Sequence, residues 1–573
     1  MSSKNFKLSV VTSALLSAFA VNAAPMYQVV PVEVPSEVAN ISFVESHGIA
    51  IQPSSIESEL GCFDPALTAD EKQACAGYLL GGEVRNTVDG FSLKDEVPFG
   101  MDASFGYIEE RRDFRSYCYR ELLYATCDES WSREYWSAWN NELNGVPNLY
   151  AFVEGEEIEY ENKDHNNVIT RLDSQGNPVG MQGTSAPSSV SASSRSIVAV
   201  TPYELEASLD DGVVDHRAWA TWVSEDGLTV HVVGSSSQIV SNTNGNHTTS
   251  KATVWSSIDG GETFEYTAIN WPSNKPKDGE RLAQGSIRDI TQVGDDIYAV
   301  GYNTYDSSEN YLEASIFKLG EEGFENKSGV SGARIENSKD ERVNSNTQLV
   351  SVNRNGVAIG ESKLRGSRPE NGAAANRPFV VLDITDSPTA KYLQSYDQGL
   401  FFSGMGADLG AINRHNEIVG EIDASRLREN DGQPRRRRGF IFTVPDLDSP
   451  REDLYRQKAW LLDDLTNDGD ANGFNNQYRI ISASDINDAG VIAATAIFCE
   501  GGYDDTAHNA YCDNRQGEEK VVAVRLVPNQ LSAEDEIPTI TPRELNDPPV
   551  ERQGAGFGWL FLAALGAFGL RRR

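Results

Sequence analysis

The sequence lacks the short motifs that mark the common active sites. It contains no HExxH, no GxSxG, no P-loop and no GxGxxG at a strand–helix junction. The seven histidines are dispersed, and none lies in a cluster with metal-ligand spacing. Linear motifs therefore name no enzyme class, although such motifs do not detect catalytic residues that are dispersed along a chain.

Positive charge is scarce. The chain of 573 residues has 85 acidic and 49 basic residues, which gives a formal net charge of −36. Such a chain repels phosphodiester backbones, so nucleic acid is not an expected partner. A strongly acidic surface favours solubility, which suits a protein outside the cell.

Cysteine is sparse, with six residues and no CxxC pair, so a zinc site is not expected. The six form three local pairs that would close small loops in an oxidising compartment. The predicted disulfides are Cys62 with Cys75, Cys118 with Cys127, and Cys499 with Cys512.

The amino-terminal residues have the pattern of a signal peptide. Lys4 and Lys7 precede an apolar run from Leu8 to Val21, and Ala23 supplies a small residue for signal peptidase. We expect a signal peptide at 1–23 and a mature chain that begins at Ala24.

The carboxy-terminal residues predict a short membrane helix. The apolar stretch from Phe557 to Leu570 has 14 residues, about 21 Å of helix, which is short for a hydrocarbon core of ~30 Å. The final Arg571 to Arg573 would hold this end in the cytoplasm. A permanent single-pass anchor is the alternative to a transient one.

One phrase recurs along the chain. Its clearest copies are Ala411 to Glu421 (AINRHNEIVGE) and Ser351 to Glu361 (SVNRNGVAIGE), with looser copies from Arg288 to Gly301 and from Asp485 to Ala494. Two short apolar strands flank polar residues, with Asn and Gly where positive φ would be needed. The phrase therefore predicts a β-hairpin.

The spacing of the phrase predicts the architecture. The glycines that close it stand 54 to 74 residues apart, at Gly180, Gly234, Gly301, Gly360 and Gly420, with Ala494 in the same place. This spacing suits four-stranded blades with long loops, and one repeat cannot bury its own apolar face. The expected fold is all-β, a β-propeller of about seven blades, whose final strand at Val521 to Leu526 pairs with the first.

These residues resemble a family. The phrase, followed by a strand such as Arg438-Gly439-Phe440-Ile441-Phe442, is similar to the HAF-type extracellular repeat. The chain resembles an uncharacterised family of secreted proteins from Gram-negative bacteria that carry this repeat. The tail, from Gly554-Ala555-Gly556 onward, resembles a GlyGly-type sorting signal. That resemblance implies cleavage by a rhomboid-like protease, surface release and only transient membrane association.

The remaining segments complete the organisation. Residues 57–157 lose the repeat, carry four cysteines and show helical spacing, which predicts a stapled, partly helical insertion. Residues 532–553 are rich in Pro, Asp and Glu, as in a linker. The predicted domains are the signal peptide at 1–23, the propeller at 24–531, the linker at 532–553 and the sorting signal at 554–573.

Two loops predict ligand sites. Asp468, Asp470 and Asn472, followed by Asn476, resemble a DxDxDG calcium loop, but Arg479 replaces the bidentate glutamate of an EF-hand, so a plain turn is the alternative. The basic run Arg435, Arg436, Arg437 and Arg438 suits acidic glycans, lipopolysaccharide phosphate or an acidic partner, or else a solvated hairpin loop.

The stretch Ser257 to Phe264 matches an Asp box of sialidase-type propellers. The box ties a turn and therefore supports the fold, but it does not supply the arginine cluster and tyrosine nucleophile of a sialidase. We expect an exported binding scaffold at the cell surface or outside the cell, with an unidentified extracellular ligand or glycan. The alternatives are a glycan-acting hydrolase and a structural envelope protein.

Overall fold

The structure is a computed structural model. It describes residues 25–35, 43–86, 88, 90, 92–95, 110–124, 126–129, 131–155, 164–184, 196–243, 245–306, 309–425, 435–533 and 538–544. The predicted signal peptide and sorting helix lie outside these residues. In the described part of the chain, no helix has the length and apolar character needed to cross a membrane.

The described residues form seven antiparallel sheets arranged as the blades of a propeller. Blades 1 and 2 have three strands each: β2 (Glu45–Ile51), β3 (Leu80–Arg85) and β4 (Leu149–Val153), then β5 (Asn167–Leu172), β6 (Pro178–Thr184) and β7 (Ser196–Val200). Blades 3 and 4 have four: β8 (Val213–Val223), β9 (Val230–Asn242), β10 (Gly245–Ser257) and β11 (Glu265–Ala268), then β14 (Ser286–Val293), β15 (Asp296–Thr304), β16 (Leu312–Gly320) and β17 (Gly323–Gly329). A small hairpin of β12 (Lys277–Asp278) and β13 (Arg281–Leu282) lies between them.

Blades 5 and 6 also have four strands: β18 (Asn344–Val352), β19 (Ala358–Leu364), β20 (Asn376–Val381) and β21 (Ala390–Tyr392), then β22 (Ala407–Ile412), β23 (Glu417–Asp423), β24 (Arg437–Thr443) and β25 (Trp460–Leu461). Blade 7 combines strands from both ends of the chain: β26 (Tyr478–Ile486), β27 (Ile492–Cys499), β28 (Glu519–Pro528) and β1 (Tyr27–Pro31). The all-β propeller predicted from the repeat is confirmed.

The ring is closed in two ways. The first strands of successive blades contact one another in a complete cycle, in which β26 meets β2 as well as β22. At the rim of blade 7, β1 pairs antiparallel with β28, from Tyr27 opposite Pro528 to Pro31 opposite Val524. The predicted pairing of the final strand with the first is therefore confirmed, and it leaves few sheet edges open.

The closing glycine of the phrase lies opposite a β-bulge. In blade 3, Ala218 pairs with Gly234, and the register then shifts so that Ala220 pairs with Val233. A Cβ on Gly234 would stand 1.8 Å from the carbonyl oxygen of Arg217, and the equivalent Gly301 would meet that of Ser286 at 2.1 Å. The repeat keeps glycine here because the bulged inner strand approaches its neighbour too closely for a side chain.

The asparagine of the phrase links neighbouring blades. The Asn353 side-chain oxygen accepts from the amides of Asn355 and Val357, which fixes the turn between the first and second strands. The Asn353 amide group donates to the carbonyl of Asn413 at 2.8 Å, and Asn413 donates likewise to that of Asn487 at 3.1 Å. One residue type thus forms the turn and ties blades 5, 6 and 7 together.

The apolar core lies between adjacent blades. Between blades 4 and 5, for example, Val300 and Ile316 pack with Leu349 and Phe379, all of them fully buried. Similar clusters join blades 3 and 4 and blades 5 and 6. Each blade therefore buries its apolar faces only against its neighbours, as expected of a repeat architecture.

Blade 1 carries two insertions, separated by β3, within the predicted range 57–157. The first contains α1 (Ala69–Gly77) and the disulfide Cys62–Cys75. The second contains α2 (Arg111–Tyr117), a π-turn (Cys118–Leu122), α3 (Trp131–Leu143) and the disulfide Cys118–Cys127. The third disulfide, Cys499–Cys512, closes a loop of blade 7, so all three predicted pairs are present.

Part of the segment predicted as a linker packs against the ring. Ile540 is buried in the core cluster of blades 6 and 7. The Arg543 guanidinium donates to the Asp463 carbonyl at 2.7 Å and to the Asn476 side chain at 2.8 Å. Residues 538–544 therefore extend the wall of these two blades.

Candidate functional site

Several long connections between strands lie on one face of the propeller. Because strands alternate in direction, the connections between second and third strands all lie on the same side of a propeller. This side, which we call the loop face, carries the second insertion, the start of β24 with the arginine run, and the loop 500–518 with its disulfide. Two cavities open among these elements.

The first cavity, the arginine pocket, has a volume of about 460 Å³ and lies between blades 6 and 7. Four arginines line it: Arg436, Arg438, Arg479 and Arg515. One carboxylate, Glu519, also lines it and accepts a hydrogen bond from the Tyr503 hydroxyl at 2.8 Å. In a protein of net charge −36, this lining gives a local excess of positive charge.

The two buried arginines are held rigidly. Arg479 donates its guanidinium hydrogens to backbone carbonyls, including those of Asn476 at 2.9 Å and Ala507 at 3.0 Å. Burial lowers the pKa of Arg479 to about 10, which still leaves it charged at neutral pH. Arg438 forms an ion pair with Asp463 at 3.0 Å and donates to the His508 carbonyl at 3.0 Å.

Two tyrosines accompany the arginines. The Arg479 guanidinium stands 4.0 Å from the centre of the Tyr503 ring, and that of Arg515 stands 3.9 Å from the centre of the Tyr511 ring. Cation–π contacts of this kind hold both groups in place without neutralising the charge. The Tyr511 ring is 52% exposed, so it offers a surface to a ligand.

His508 adds a titratable group at the back of the arginine pocket. Burial lowers its pKa, but the hydrogen bonds to Asp463 at 3.3 Å and Asp464 at 3.2 Å outweigh burial and raise the pKa above its ordinary value. The imidazolium form is thus favoured at mildly acidic pH.

The second cavity, the axial cavity, lies where the seven first strands meet and has a volume of about 390 Å³. The extra residue of the β-bulge lines it in six of the blades: Ile49, Thr170, Trp219, Val350, Gly410 and Ser484. The bulge that requires the closing glycine therefore also places one residue of these six blades, a glycine in blade 6, at the wall of the cavity.

Carboxylates on the wall of the axial cavity share one arginine. Arg437 contacts Asp408 at 2.8 Å, Glu421 at 2.8 Å and Asp423 at 3.2 Å. Burial and the neighbouring Asp408 together raise the pKa of Glu421 to about 7, against the opposing charge of Arg437. Burial and Asp408 also raise the pKa of Glu361. The cluster therefore holds a proton near neutral pH.

The second insertion roofs the axial cavity. Its Lys94 lines the cavity and forms an ion pair with the buried Glu83 at 3.1 Å. Arg288 of blade 4 contacts Asp95 of the insertion at 3.1 Å and stacks on Trp219 at 3.7 Å. Farther along the insertion, the carbonyl of Glu121 accepts a hydrogen bond from blade 5.

The run Arg435 to Arg438 is divided by strand alternation. Arg436 and Arg438 line the arginine pocket, whereas Arg435 and Arg437 contact Asp423 on the other side of the strand. Two of the four predicted binding residues are thus brought to one cavity. Arg479 and Arg515 were not identified from the sequence, because only the ring brings them beside the run.

The predicted calcium residues form a turn. Asp468 accepts from the Asp470 amide at 3.0 Å, and Asp470 accepts from the Asn472 amide at 2.9 Å. The Asn476 oxygen accepts from Arg543 at 2.8 Å, so it is engaged within the protein. Within the described residues, no group of three or more acidic, His or Cys side chains has metal-binding geometry. Calcium binding by Asp468, Asp470 and Asn472 stays a prediction.

The Asp box behaves as a turn device. Asp259 accepts from the Thr263 hydroxyl at 2.5 Å and from the Thr263 amide at 3.0 Å, and it receives the Ser257 hydroxyl at 2.6 Å. These hydrogen bonds lower the pKa of Asp259. The box follows the third strand of blade 3, on the face opposite the loop face.

Residues 170–573, more than half of the chain, match the family described as "Protein of unknown function (DUF3466)". The chain belongs to the DUF3466 family. The predicted membership of an uncharacterised family is thereby confirmed. The HAF-type repeats and the GlyGly-type tail stay predictions. No curated protein sequence matches this DUF3466 chain.

Solved structures give distant similarities to the DUF3466 chain. A Hadza microbial sialidase is 10% identical, with 66% of this chain and 73% of the sialidase covered and a TM-score of 0.30. A family 117 glycoside hydrolase of Zobellia galactanivorans is 9% identical (67% and 98% covered, TM-score 0.27). A levansucrase mutant of B. megaterium is 8% identical (58% and 88% covered, TM-score 0.26). These TM-scores are too low to support an argument about fold or activity.

Proposed function

We propose that this protein is an exported binding scaffold whose ligand docks on the loop face. The observation that carries the proposal is the gathering on this face of the second insertion, the disulfide-closed loop 500–518 and two lined cavities. Ligand sites in proteins are concave and carry a few convergent polar groups, as both cavities do. The opposite face holds the short Asn turns that join the blades and the first insertion, which contacts one of those turns through Arg414.

Binding to a glycan array is the direct test. The purified exported protein should retain at least one class of extracellular glycan, while a hydrolase panel should show no turnover. A blank array together with a blank panel would leave the structural envelope role as the better account. Turnover of any substrate would show that the protein is an enzyme and not only a binding scaffold.

A glycan-acting hydrolase is the second candidate, and one observation favours it. Glu421 lines the axial cavity, and its pKa of about 7 suits a general acid near neutral pH. Asp408 stands beside it as a second carboxylate. Turnover in the panel that Glu421→Gln abolishes, without loss of fold, would support this candidate.

Export and processing form the other part of the proposal. The three disulfides suit an oxidising compartment, and the leader and tail patterns suit secretion followed by cleavage of a transient anchor. Mass spectrometry of the native protein should find Ala24 or a near neighbour at the start and no Arg571 to Arg573 at the end. A released protein with an intact tail would contradict the processing step.

A further inference from the structure

We infer that the arginine pocket binds an anionic saccharide, a sugar unit that carries a carboxylate or a phosphate. This inference rests on the proposed binding function and names the ligand class of one of its two cavities. Its support comes from the charge, the lining and the rigidity of the pocket.

The walls balance part of the pocket's charge, through Glu519 and the Arg438–Asp463 ion pair, and leave an excess of positive charge. Arg479 is bound by backbone carbonyls rather than by a carboxylate in contact. Among the residues that the structure describes, Arg515 has no ion pair, and its guanidinium rests on the Tyr511 ring. An anion that enters the pocket therefore meets one cation that is buried and fixed, Arg479, and a second, exposed one at Arg515.

The lining favours a hydroxyl-rich carrier for the anion. Besides the arginines, the walls present His508, Asn509, two tyrosines and Glu519, and the aliphatic surface is limited to Ile497 and Ala510. A lipid chain would find little apolar surface in such a cavity. The volume of about 460 Å³ lies in the range of small-ligand sites, roughly 300–1,000 Å³.

The length of the ligand is limited by the rest of the molecule. The net charge of −36 repels an extended polyanion, whereas a single charged unit at the pocket is attracted at short range. A terminal or isolated anionic sugar therefore fits better than a long acidic polymer.

The pocket is held in one shape. Its outer wall is the loop 500–518, which the Cys499–Cys512 disulfide closes and which the Asp504–Tyr511 backbone hydrogen bond crosses at 3.0 Å. Its inner wall is the sheet of blades 6 and 7. A rigid pocket loses little conformational entropy when a ligand binds.

Calorimetric titration of the full exported protein with four probes tests the inference. The probes are glucuronic acid, glucose 6-phosphate, glucose and inorganic phosphate, which separate the carboxylate, the phosphate and the sugar. At least one charged sugar should bind about tenfold or more tightly than glucose, since hydrogen bonds to charged groups are the stronger ones. Phosphate that binds as tightly as glucose 6-phosphate would show that the sugar is not recognised, which overturns the saccharide class.

The variant Arg436→Ala with Arg515→Ala removes two exposed lining charges and should weaken binding by about tenfold or more. The matched control is Arg334→Ala with Arg368→Ala, which removes two arginines, each 52% exposed, that do not line the pocket. Equal losses in the two variants, or no binding of either charged sugar, would overturn the inference. A neutral glycan that binds on the array, with an affinity that neither variant changes, would overturn the inference but leave the scaffold proposal intact.

Discussion

Replacing Gly234 by alanine tests the account of the repeat most directly. The added methyl group would stand 1.8 Å from the Arg217 carbonyl oxygen, far closer than the 3.0 Å that real Cβ contacts respect. The oxygen belongs to backbone in the bulged inner strand, so it cannot turn aside as a flexible side chain would. The strands must separate, and the hydrogen bonds around the bulge must weaken.

The expected loss is at least about 3 kcal/mol, the upper part of the range for overpacking, because both partners are backbone. Urea denaturation followed by tryptophan fluorescence measures it as a lower midpoint at unchanged slope. Gly77→Ala is the matched control. Gly77 ends α1, and a methyl group added there would meet no neighbouring part of the protein within 4 Å, so alanine should be neutral or stabilising by up to about 1 kcal/mol.

A comparison within the molecule sharpens the test. Blade 7 has Ala494 where the other repeats have glycine, and Ala494→Gly should cost only about 0.5–1 kcal/mol for backbone entropy, plus the loss of one buried methyl group. If Gly234→Ala were as stable as the Gly77→Ala control, the close approach at the bulge would not be the reason for glycine in the phrase.

Three further predictions concern single sites. The pKa of Glu421 in the folded protein is about 7, above its ordinary value, so the folded state binds the proton more tightly than the unfolded state. The free energy of unfolding should therefore fall as pH rises from about 4.5 to 7. Glu421→Gln should flatten this part of the pH profile, and an unchanged slope would contradict the assignment. Replacing Cys499 and Cys512 by serine should lower the free energy of unfolding by about 3 kcal/mol, as expected for a loop of this length, and should weaken anion binding. Denaturation and calorimetry measure the two effects. Unchanged stability and unchanged binding would show that the loop does not depend on its disulfide. Calcium at about 100 times its dissociation constant should stabilise the wild type by roughly 2.7 kcal/mol, measured by thermal melting with calcium and with chelator. Asp468→Ala with Asp470→Ala should abolish this shift. If the double variant keeps the shift, the loop is only a turn.

The ring could be predicted from the sequence because its determinants are local. The closing glycine and the Asn turn recur at a spacing that suits a blade, and each has a steric or hydrogen-bonding reason within its own hairpin or the next one. Blade 1 also forms a first strand with a bulge, between Gly48 and Ala50. The disulfides were also predictable, since every pair closes a short loop.

The candidate site was only half predictable because it is assembled across blades. The arginine run was visible, but strand alternation sends Arg437 to the carboxylate cluster and Arg438 to the arginine pocket. Arg479 comes from the next blade, and Arg515 comes from a loop beyond it. The path of the second insertion across the ring was equally hidden, since its contacts with blades 4 and 5 have no counterpart in the linear pattern.

Ring closure imposes an order of events on synthesis. Tyr27 is made near the beginning of the chain, yet its partner Pro528 follows 501 positions later. Until β28 exists, β1 has no neighbour, and afterwards a missing β1 would leave β28 as an open edge that invites pairing between molecules. A chain that stops before the last blade therefore lacks the strand that pairs with β1, and it cannot close the ring.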